Sequence, residues 1–195
     1  MIRPLADLDE AVAATCLRAA RASPPDGMAT RIIAVDGLGG AGKTTMAAKL
    51  AGALGGCPVV TTDDFASWDD PLDWWPRLLE EVLVPISEGR SAVYRRCDWV
   101  LRQLGTQQRV DPCAYVILEG VSSSRRAFRA YLTFIVWVET PRQKRLNRGI
   151  ARDGSSMRSQ WKRWMEAEDR YVEEENPRRA ANLIVLGSGP DPERQ

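Results

Sequence analysis

The side chains best placed to do chemistry lie in a glycine-rich stretch near residue 40. Gly37, Gly42, Lys43 and Thr44 satisfy the pattern G-x-x-x-x-G-K-[ST], which binds the phosphates of a nucleotide. Such a loop must bring backbone N–H groups to one point with few side chains in the way. Its residues are Gly37, Leu38, Gly39, Gly40, Ala41, Gly42, Lys43, Thr44 and Thr45. We expect Lys43 to hold the β- and γ-phosphates and the Thr44 hydroxyl to bind Mg²⁺.

The segments on either side of the loop agree with this interpretation. Residues 32–35 form a short apolar run typical of a buried strand, and the residues after 44 favour a helix. The N-terminal end of such a helix attracts phosphate. A glycine-rich turn without a ligand is the alternative, but the order strand, loop, helix favours nucleotide binding.

Further strands and helices alternate along the chain. Apolar runs predict strands at 58–62, 115–120, 133–138 and 182–186, and helical periodicity predicts helices at 5–22, 72–87, from 142 onward and at 155–174. This alternation predicts an α/β fold with a parallel sheet covered by helices on both faces. Residues 91–110 predict a small β-ribbon around Gly105. The length of 195 residues predicts a single domain, 1–195.

Composition excludes several classes of protein. The chain has no histidine, and its four cysteines are scattered without a C-x-x-C pair, so neither zinc ligation nor a Ser-His-Asp triad is expected. The net charge of +1 gives no reason to expect nucleic acid as a partner. No signal peptide or apolar stretch of membrane length occurs, so we expect a cytoplasmic protein with reduced thiols.

Three carboxylates follow predicted strands, at the edge where parallel sheets bind ligands. Glu119 ends an apolar strand and is expected to hold Mg²⁺ together with Thr44. Asp63 ends the second strand and could accept a proton from an attacking hydroxyl. Either could instead cap a helix or a turn. Asp36, directly before the loop, is interpreted as structural.

A basic segment follows the fourth predicted strand. Arg145, Arg148 and Arg152 recur at helical spacing and can share one face. Arginines stabilise the charge that develops on a transferring phosphoryl group, so we expect residues 145–158 to form a lid in which Arg148 and Arg152 act in catalysis. A solvated basic helix is the alternative. Trp161 and Trp164 are expected to pack the following helix onto the core.

Several of these elements resemble known small-molecule kinases. Residues 61–65, Thr-Thr-Asp-Asp-Phe, are similar to an element of the uridine kinase and bacterial pantothenate kinase families whose first aspartate is the base. Four further elements are similar to uridine kinases: Asp69-Asp70-Pro71, Cys97-Asp98-Trp99, Ile117-Leu118-Glu119-Gly120 and Arg148-Gly149-Ile150-Ala151-Arg152-Asp153. The resemblance extends over residues 32–186.

The resemblance implies a P-loop NTPase fold of the nucleoside- and nucleotide-kinase type, with a five-stranded parallel sheet in the order 2-3-1-4-5. It also implies ATP and Mg²⁺ as cofactors, Asp63 as the base, and an acceptor-side segment around residues 64–110. We expect strand 58–62 to lie beside the phosphate-loop strand, with Asp63 facing the acceptor and Asp64 turned away. The residues expected to contact the acceptor are Asp69, Arg95, Asp98 and Trp99.

The acceptor itself stays open at this stage. A nucleoside is the first expectation, but this chain lacks the histidine that uridine kinases are expected to use against the base, and Cys97 stands where they have tyrosine. The alternatives are a kinase for a vitamin precursor, sugar acid or antibiotic, a GTPase switch, and an assembly subunit with slow hydrolysis. No Asn-Lys-x-Asp element, the usual guanine reader, occurs. Also open are the choice between ATP and GTP, a homo-oligomeric state, and whether Trp68, Trp74 and Trp75 line the site or the core.

Overall fold

A computed structural model of the chain describes residues 4–25, 27–99 and 101–187. Its strands are β1 Arg31–Gly37, β2 Val59–Thr61, β3 Ala92–Asp98, β4 Gln103–Val110, β5 Tyr115–Glu119, β6 Phe134–Glu139 and β7 Leu183–Leu186. Its α-helices are α1 Leu8–Arg21, α2 Lys43–Ala53, α3 Trp75–Leu78, α4 Val84–Ser87, α5 Arg142–Asp153, α6 Arg158–Glu175 and α7 Pro177–Ala180. Short 3₁₀ helices lie at Thr62–Asp64, Arg126–Tyr131 and Ser155–Met157. None of the helices in these ranges is both long enough and apolar enough to cross a membrane.

Five strands form a parallel sheet in the order β2-β5-β1-β6-β7, which is 2-3-1-4-5 when only these strands are numbered along the chain. One expectation was wrong: β2 pairs with β5, not with the phosphate-loop strand β1. The exposure of the side chains of β5 and β2 agrees with this strand order. All but the first residue of β5 are buried, which suits a strand with neighbours on both sides, whereas Val59 of β2 is 41% exposed, as an edge strand permits.

The side chains of β1 alternate between two hydrophobic cores. Ile32 and Ala34 belong to the core that contains Phe128, Trp164 and Tyr171. Ile33 and Val35 belong to the core on the other face, which α1 and α2 cover. Because both faces of the sheet are covered, its central strands are apolar throughout, and the predicted α/β class with helices on both faces is confirmed.

The segment between β2 and β5 contains a distorted helix and the predicted ribbon. A π-helical turn, Leu79–Leu83, joins α3 to α4. Pro85 has no N–H to donate to the carbonyl four residues earlier, which favours this wider turn. Strands β3 and β4 pair antiparallel, with Asp98 opposite Gln103. The ribbon therefore turns between these two residues, and Gly105, the predicted centre, lies inside β4.

Candidate active site

The phosphate loop connects β1 to α2 and is held from behind by α5. Gly40 and Gly42 have φ angles of +75° and +101°, which favour glycine. A side chain on Gly40 would place its Cβ 2.7 Å from the Arg145 carbonyl oxygen. The Thr140 hydroxyl donates to the Ala41 carbonyl at 3.0 Å, and Lys43 Nζ donates to the Leu38 carbonyl at 3.2 Å. Hydrogen bonds within the protein therefore hold the loop in this conformation, and the Lys43 ammonium group lies against it.

A cavity of about 580 Å³ lies at the carboxyl ends of the strands and opens onto this loop. It is lined by Gly39, Gly40, Gly42, Lys43, Thr44, Thr45, Asp63, Trp68, Trp99, Glu119, Val121, Arg148, Gly149, Arg152, Asp153, Trp161 and Trp164. Of the predicted loop residues, Gly37, Leu38 and Ala41 are not part of this lining and form the back of the loop. Parallel sheets carry their ligand sites at this edge.

Glu119 and Thr44 meet at the floor of the cavity. The Thr44 hydroxyl donates to Glu119 Oε1 at 3.3 Å, and Glu119 is only 6% exposed. Burial raises the pKa of the Glu119 carboxyl above its ordinary value of 4.5, while Lys43 lowers it and Asp63 raises it. A hydroxyl and a carboxylate side by side are the oxygen ligands that Mg²⁺ prefers, so these two residues fit the ion.

The two neighbouring aspartates after β2 face different surroundings. Asp63 is exposed and lines the cavity. Asp64 is buried and accepts hydrogen bonds from Tyr94 Oη at 3.0 Å and Arg96 Nε at 2.7 Å. The pKa of the Tyr94 hydroxyl is raised by burial and by the Asp64 charge. The Asp64 carboxylate is thus occupied by hydrogen bonds within the protein, whereas the Asp63 carboxylate can contact a ligand in the cavity.

The three arginines predicted to share one face of α5 have separate environments. Arg148 and Arg152 both line the cavity, and Arg148 Nη1 donates to the Gly40 carbonyl at 3.3 Å. Arg152 donates to Asp153, which raises the pKa of the Arg152 guanidinium, and its guanidinium carbon lies 5.6 Å from the ring centroid of Trp161. Arg145 also faces the loop, with Nη1 donating to the Gly39 carbonyl at 3.4 Å, but it is outside the cavity lining. It is 4% exposed and paired with Glu168 at 2.8 Å.

Four tryptophans line the cavity, and we call them together the tryptophan wall: Trp68, Trp99, Trp161 and Trp164. The centroid of Trp68 lies 5.5 Å from those of both Trp99 and Trp164, and the last two are 5.9 Å apart. Three indole N–H groups donate to protein oxygens: Trp99 to the Asp63 carbonyl, Trp161 to Asp153 Oδ2 and Trp164 to Glu168 Oε1. These three rings therefore offer a ligand apolar and π surface instead of hydrogen bonds.

Only one of the four predicted acceptor contacts lies in this cavity, namely Trp99. Asp69 lines a second cavity, of about 360 Å³, and pairs with Arg102 at 2.9 Å. Arg95 is exposed on the ribbon and donates to the Gly105 carbonyl. Asp98 accepts from the Leu101 N–H at the ribbon turn. The side chains of Asp69, Arg95 and Asp98 are therefore outside the lining of the first cavity.

The tryptophans whose place was open, and those of α6, are now assigned. Trp68 lines the cavity, whereas Trp74 is buried in the core and Trp75 packs against it. Trp161 and Trp164 were expected only in the core; both are buried, and both also line the cavity. Trp164 follows Trp161 by three residues, and Glu168 follows Trp164 by four, so these three side chains lie on one face of α6, which is turned toward the loop. That i, i+3, i+7 pattern is the sequence signal that could have revealed them.

No protein-family model and no curated protein matches this chain. The solved structures that are similar to it include the following two. A possible uridine kinase from Bacillus stearothermophilus is 21% identical, with a TM-score of 0.68 over 91% of this chain and 98% of the other. A candidate fructose transport system kinase from Silicibacter sp. TM1040 is 20% identical, with a TM-score of 0.59 over 89% of this chain and 98% of the other.

The chain has a P-loop kinase fold. Within this fold, Asp36 at the end of β1 ties three elements together beneath the loop. It is fully buried and accepts hydrogen bonds from the N–H groups of Gly37, Ser122 and Ser124, from the Ser124 hydroxyl, and from Tyr171 Oη of α6. Burial raises the pKa of Asp36, against hydrogen bonds from Ser124, Tyr171 and Gly37 that lower it. Its structural interpretation agrees with these contacts.

Proposed function

We propose that this protein is an ATP-dependent kinase that transfers the γ-phosphoryl group to a hydroxyl of a small metabolite. The observation that carries the proposal is a single cavity in which the phosphate loop, the buried Glu119 and the exposed Asp63 face one another under the tryptophan wall. A phosphate site, a metal ligand and an available carboxylate are the parts that phosphoryl transfer requires.

Each residue has a role in this mechanism. Lys43 and the loop N–H groups bind the β- and γ-phosphates, and Thr44 and Glu119 hold Mg²⁺. The ion, when bound, neutralises charge on the phosphate oxygens. Asp63 accepts the proton of the acceptor hydroxyl. At the same time the hydroxyl oxygen bonds to the γ-phosphorus, and the bond between the γ-phosphorus and the oxygen that leaves with ADP breaks. Arg148 and Arg152 stabilise the charge on the transferring group.

The metal site as proposed depends on the nucleotide. In the described residues, no three His, Cys, Asp or Glu side chains group together as a metal site. Mg²⁺ is usually held by one or two protein oxygens, substrate phosphates and water, and the pair Thr44 and Glu119 suits that mode. We therefore expect Mg²⁺ to bind together with ATP and only weakly without it.

For the acceptor we propose a nucleoside first. The tryptophan wall offers flat apolar surface, which suits stacking on a planar base. A non-nucleoside acceptor is the second candidate, because the two similar structures carry the names of kinases for different acceptors, a nucleoside and a sugar system. The wall favours the nucleoside, since a sugar without a planar group gains less from stacking.

The test is a screen of the purified protein for release of ADP from ATP, or of GDP from GTP, with Mg²⁺ and a panel of nucleosides, sugars, sugar acids, vitamin precursors and aminoglycosides. We expect turnover only when a hydroxyl acceptor is present, and a phosphorylated product by mass spectrometry. Equal ADP release with no acceptor would instead support a nucleotide hydrolase.

Replacing Lys43 by alanine should lower this turnover by at least about 10²-fold, because a charge on the β- and γ-phosphates is lost in the transition state. The melting temperature should fall little, since the ammonium makes a single hydrogen bond to the Leu38 carbonyl. K49A is the matched control: its lysine also lies on α2, but pairs with Asp9 on the surface. Near-normal turnover in K43A would contradict the proposed function.

A further inference from the structure

One carboxylate that has no role in the proposed reaction contacts both the phosphate loop and the tryptophan wall. Glu168 of α6 is fully buried, and its Oε1 accepts a hydrogen bond from the Gly39 backbone N–H of the phosphate loop at 2.6 Å. The same oxygen accepts a hydrogen bond from Trp164 Nε1 at 3.0 Å. A loop amide and an indole of the tryptophan wall therefore share one acceptor atom.

The charge of this carboxylate is balanced from α5. Arg145, which is 4% exposed, donates through Nη1 to Glu168 Oε2 at 2.8 Å. An unpaired buried carboxylate would be strongly destabilising and would repel a polyphosphate in the loop. The ion pair allows Glu168 to remain beside the phosphate site, and it connects the lid helix α5 to the same carboxylate.

The approach of α6 to the loop is close. A Cβ on Gly39 would lie 2.9 Å from Glu168 Oε1 and 2.9 Å from Trp161 Cζ3. Any larger residue at position 39 would require the side chains of Glu168 and Trp161 to shift. The glycine thus permits a direct contact between the phosphate loop and the helix that carries half of the tryptophan wall.

We propose that Glu168 is a positioning residue that couples phosphate binding in the loop to the tryptophan wall. This inference rests on the proposed function, which makes the loop a phosphate site and the wall an acceptor site. Because two donors share one oxygen, a change in the Gly39 hydrogen bond when phosphates enter alters the Trp164 hydrogen bond. The coupling is reciprocal, so an acceptor that moves Trp164 changes the affinity for nucleotide by the same factor.

The test uses Mg²⁺-tripolyphosphate, which fills the loop but has no base or acceptor group to reach the wall. Indole N–H resonances of the ¹⁵N-labelled protein are recorded during the titration, and the Trp164 resonance is assigned with W164F. We expect the Trp164 resonance to shift as the loop fills. The Trp74 indole, which donates to the Pro71 carbonyl outside the cavity, is the internal control and should stay in place.

The matched variant is E168Q, which keeps the size of the side chain but has a single acceptor oxygen and no charge. We expect the Trp164 shift to vanish at saturation, because the one remaining oxygen pairs with Arg145 and no longer joins the Gly39 and Trp164 N–H groups. A merely structural role would lower the melting temperature and leave the shift at saturation unchanged. That result, or a Trp164 resonance that stays in place in the wild type, would overturn the inference.

W164F provides a second measurement if E168Q does not fold. It removes one of the two donors and keeps an aromatic ring, so Oε1 serves Gly39 alone. The Gly39 amide resonance should then move without any ligand, and an unmoved resonance would overturn the shared-oxygen argument. Absence of tripolyphosphate binding to the wild type would contradict the proposed function itself, and the inference with it.

Discussion

At the scale of single residues, the two aspartates after β2 allow a direct test of the base. In D63N, phosphoryl transfer should fall by about 10²–10⁴-fold, the usual contribution of a positioned base. Nucleotide affinity and the melting temperature should hardly change, because Asp63 is exposed. Steady-state kinetics, nucleotide titration and melting curves measure these three effects.

D64N is the matched control for this substitution. The amide weakens the contacts with Arg96 and Tyr94, so we expect a loss of stability of about 1–3 kcal/mol and a much smaller effect on the rate. D63N is therefore expected to lower mainly the rate, and D64N mainly the stability. If D64N proves more damaging to turnover than D63N, the base has been assigned to the wrong carboxylate.

Glu119 gives a prediction about pH. Burial raises its pKa in the folded protein, so its protonated form is favoured on folding. That contribution to stability is present below the unfolded pKa and is lost as pH rises through the folded pKa. E119Q cannot lose it, so without nucleotide its melting temperature should rise relative to that of the wild type as pH rises above 4.5, the ordinary pKa of this carboxyl.

The same substitution should weaken Mg²⁺–nucleotide binding at every pH, because the metal loses its carboxylate ligand. In the wild type, a proton competes with Mg²⁺ for Glu119, so binding should weaken as pH falls through the raised pKa. Calorimetric titrations of both proteins across this range measure the effect. Equal pH dependence of binding in the wild type and E119Q would remove Glu119 from the metal site.

At the scale of elements, α5 is fixed near its start, whereas the turn that follows its end is loosely packed. Arg145 is fixed by its ion pair with Glu168 near the start of the helix. Gly154 ends the helix with a φ of +96°, and a Cβ there would meet only Ser156 Oγ at 3.8 Å, so this turn is loosely packed. Closure of the predicted lid, residues 145–158, should therefore occur mainly at its C-terminal end.

Hydrogen exchange tests this division. An ATP analogue with Mg²⁺ and the acceptor should slow amide exchange in residues 151–158 by about tenfold or more, and that in residues 142–146 much less. The exposed ribbon strand β4 is the control, since it lies outside the cavity lining and should exchange equally with and without ligand. Unchanged exchange at 151–158 would mean that the basic helix is only a solvated surface.

At the scale of the whole molecule, the strand order predicts where the sheet tolerates change. V116A and V59A delete the same two methyl groups, from central β5 and from edge β2 respectively. Val116 is 1% exposed and Val59 is 41% exposed. V116A should reduce the free energy of unfolding by about 2–3 kcal/mol, whereas V59A should cost less than about 1 kcal/mol. Urea unfolding of both variants checks the difference, and equal losses would contradict the assigned edge.

The local parts of this protein were predictable from its sequence. The phosphate loop needs glycines, a lysine and a threonine at fixed spacing, and that pattern is complete within residues 37–44. Apolar runs and helical periodicity likewise depend only on neighbours in the chain, so the α/β class and nearly all element positions were correct. Glu119 and Asp63 could be predicted to lie near each other because each follows a strand, and strand ends meet at one edge of a parallel sheet; both line the cavity.

Only the tertiary structure decided which distant side chains meet. Periodicity placed Arg145 on a helix, but its burial against Glu168 depends on how α5 and α6 pack on the loop. The same packing brings Trp161 and Trp164 into the cavity, while Arg95 and Asp98 of the ribbon lie outside its lining. The neighbour of β2 is set by which strand is apolar enough to be buried on both faces. These contacts join residues of different elements, from 23 positions apart for Arg145 and Glu168 to 129 for Gly39 and Glu168. Local sequence patterns contain no information about the angle at which two elements pack.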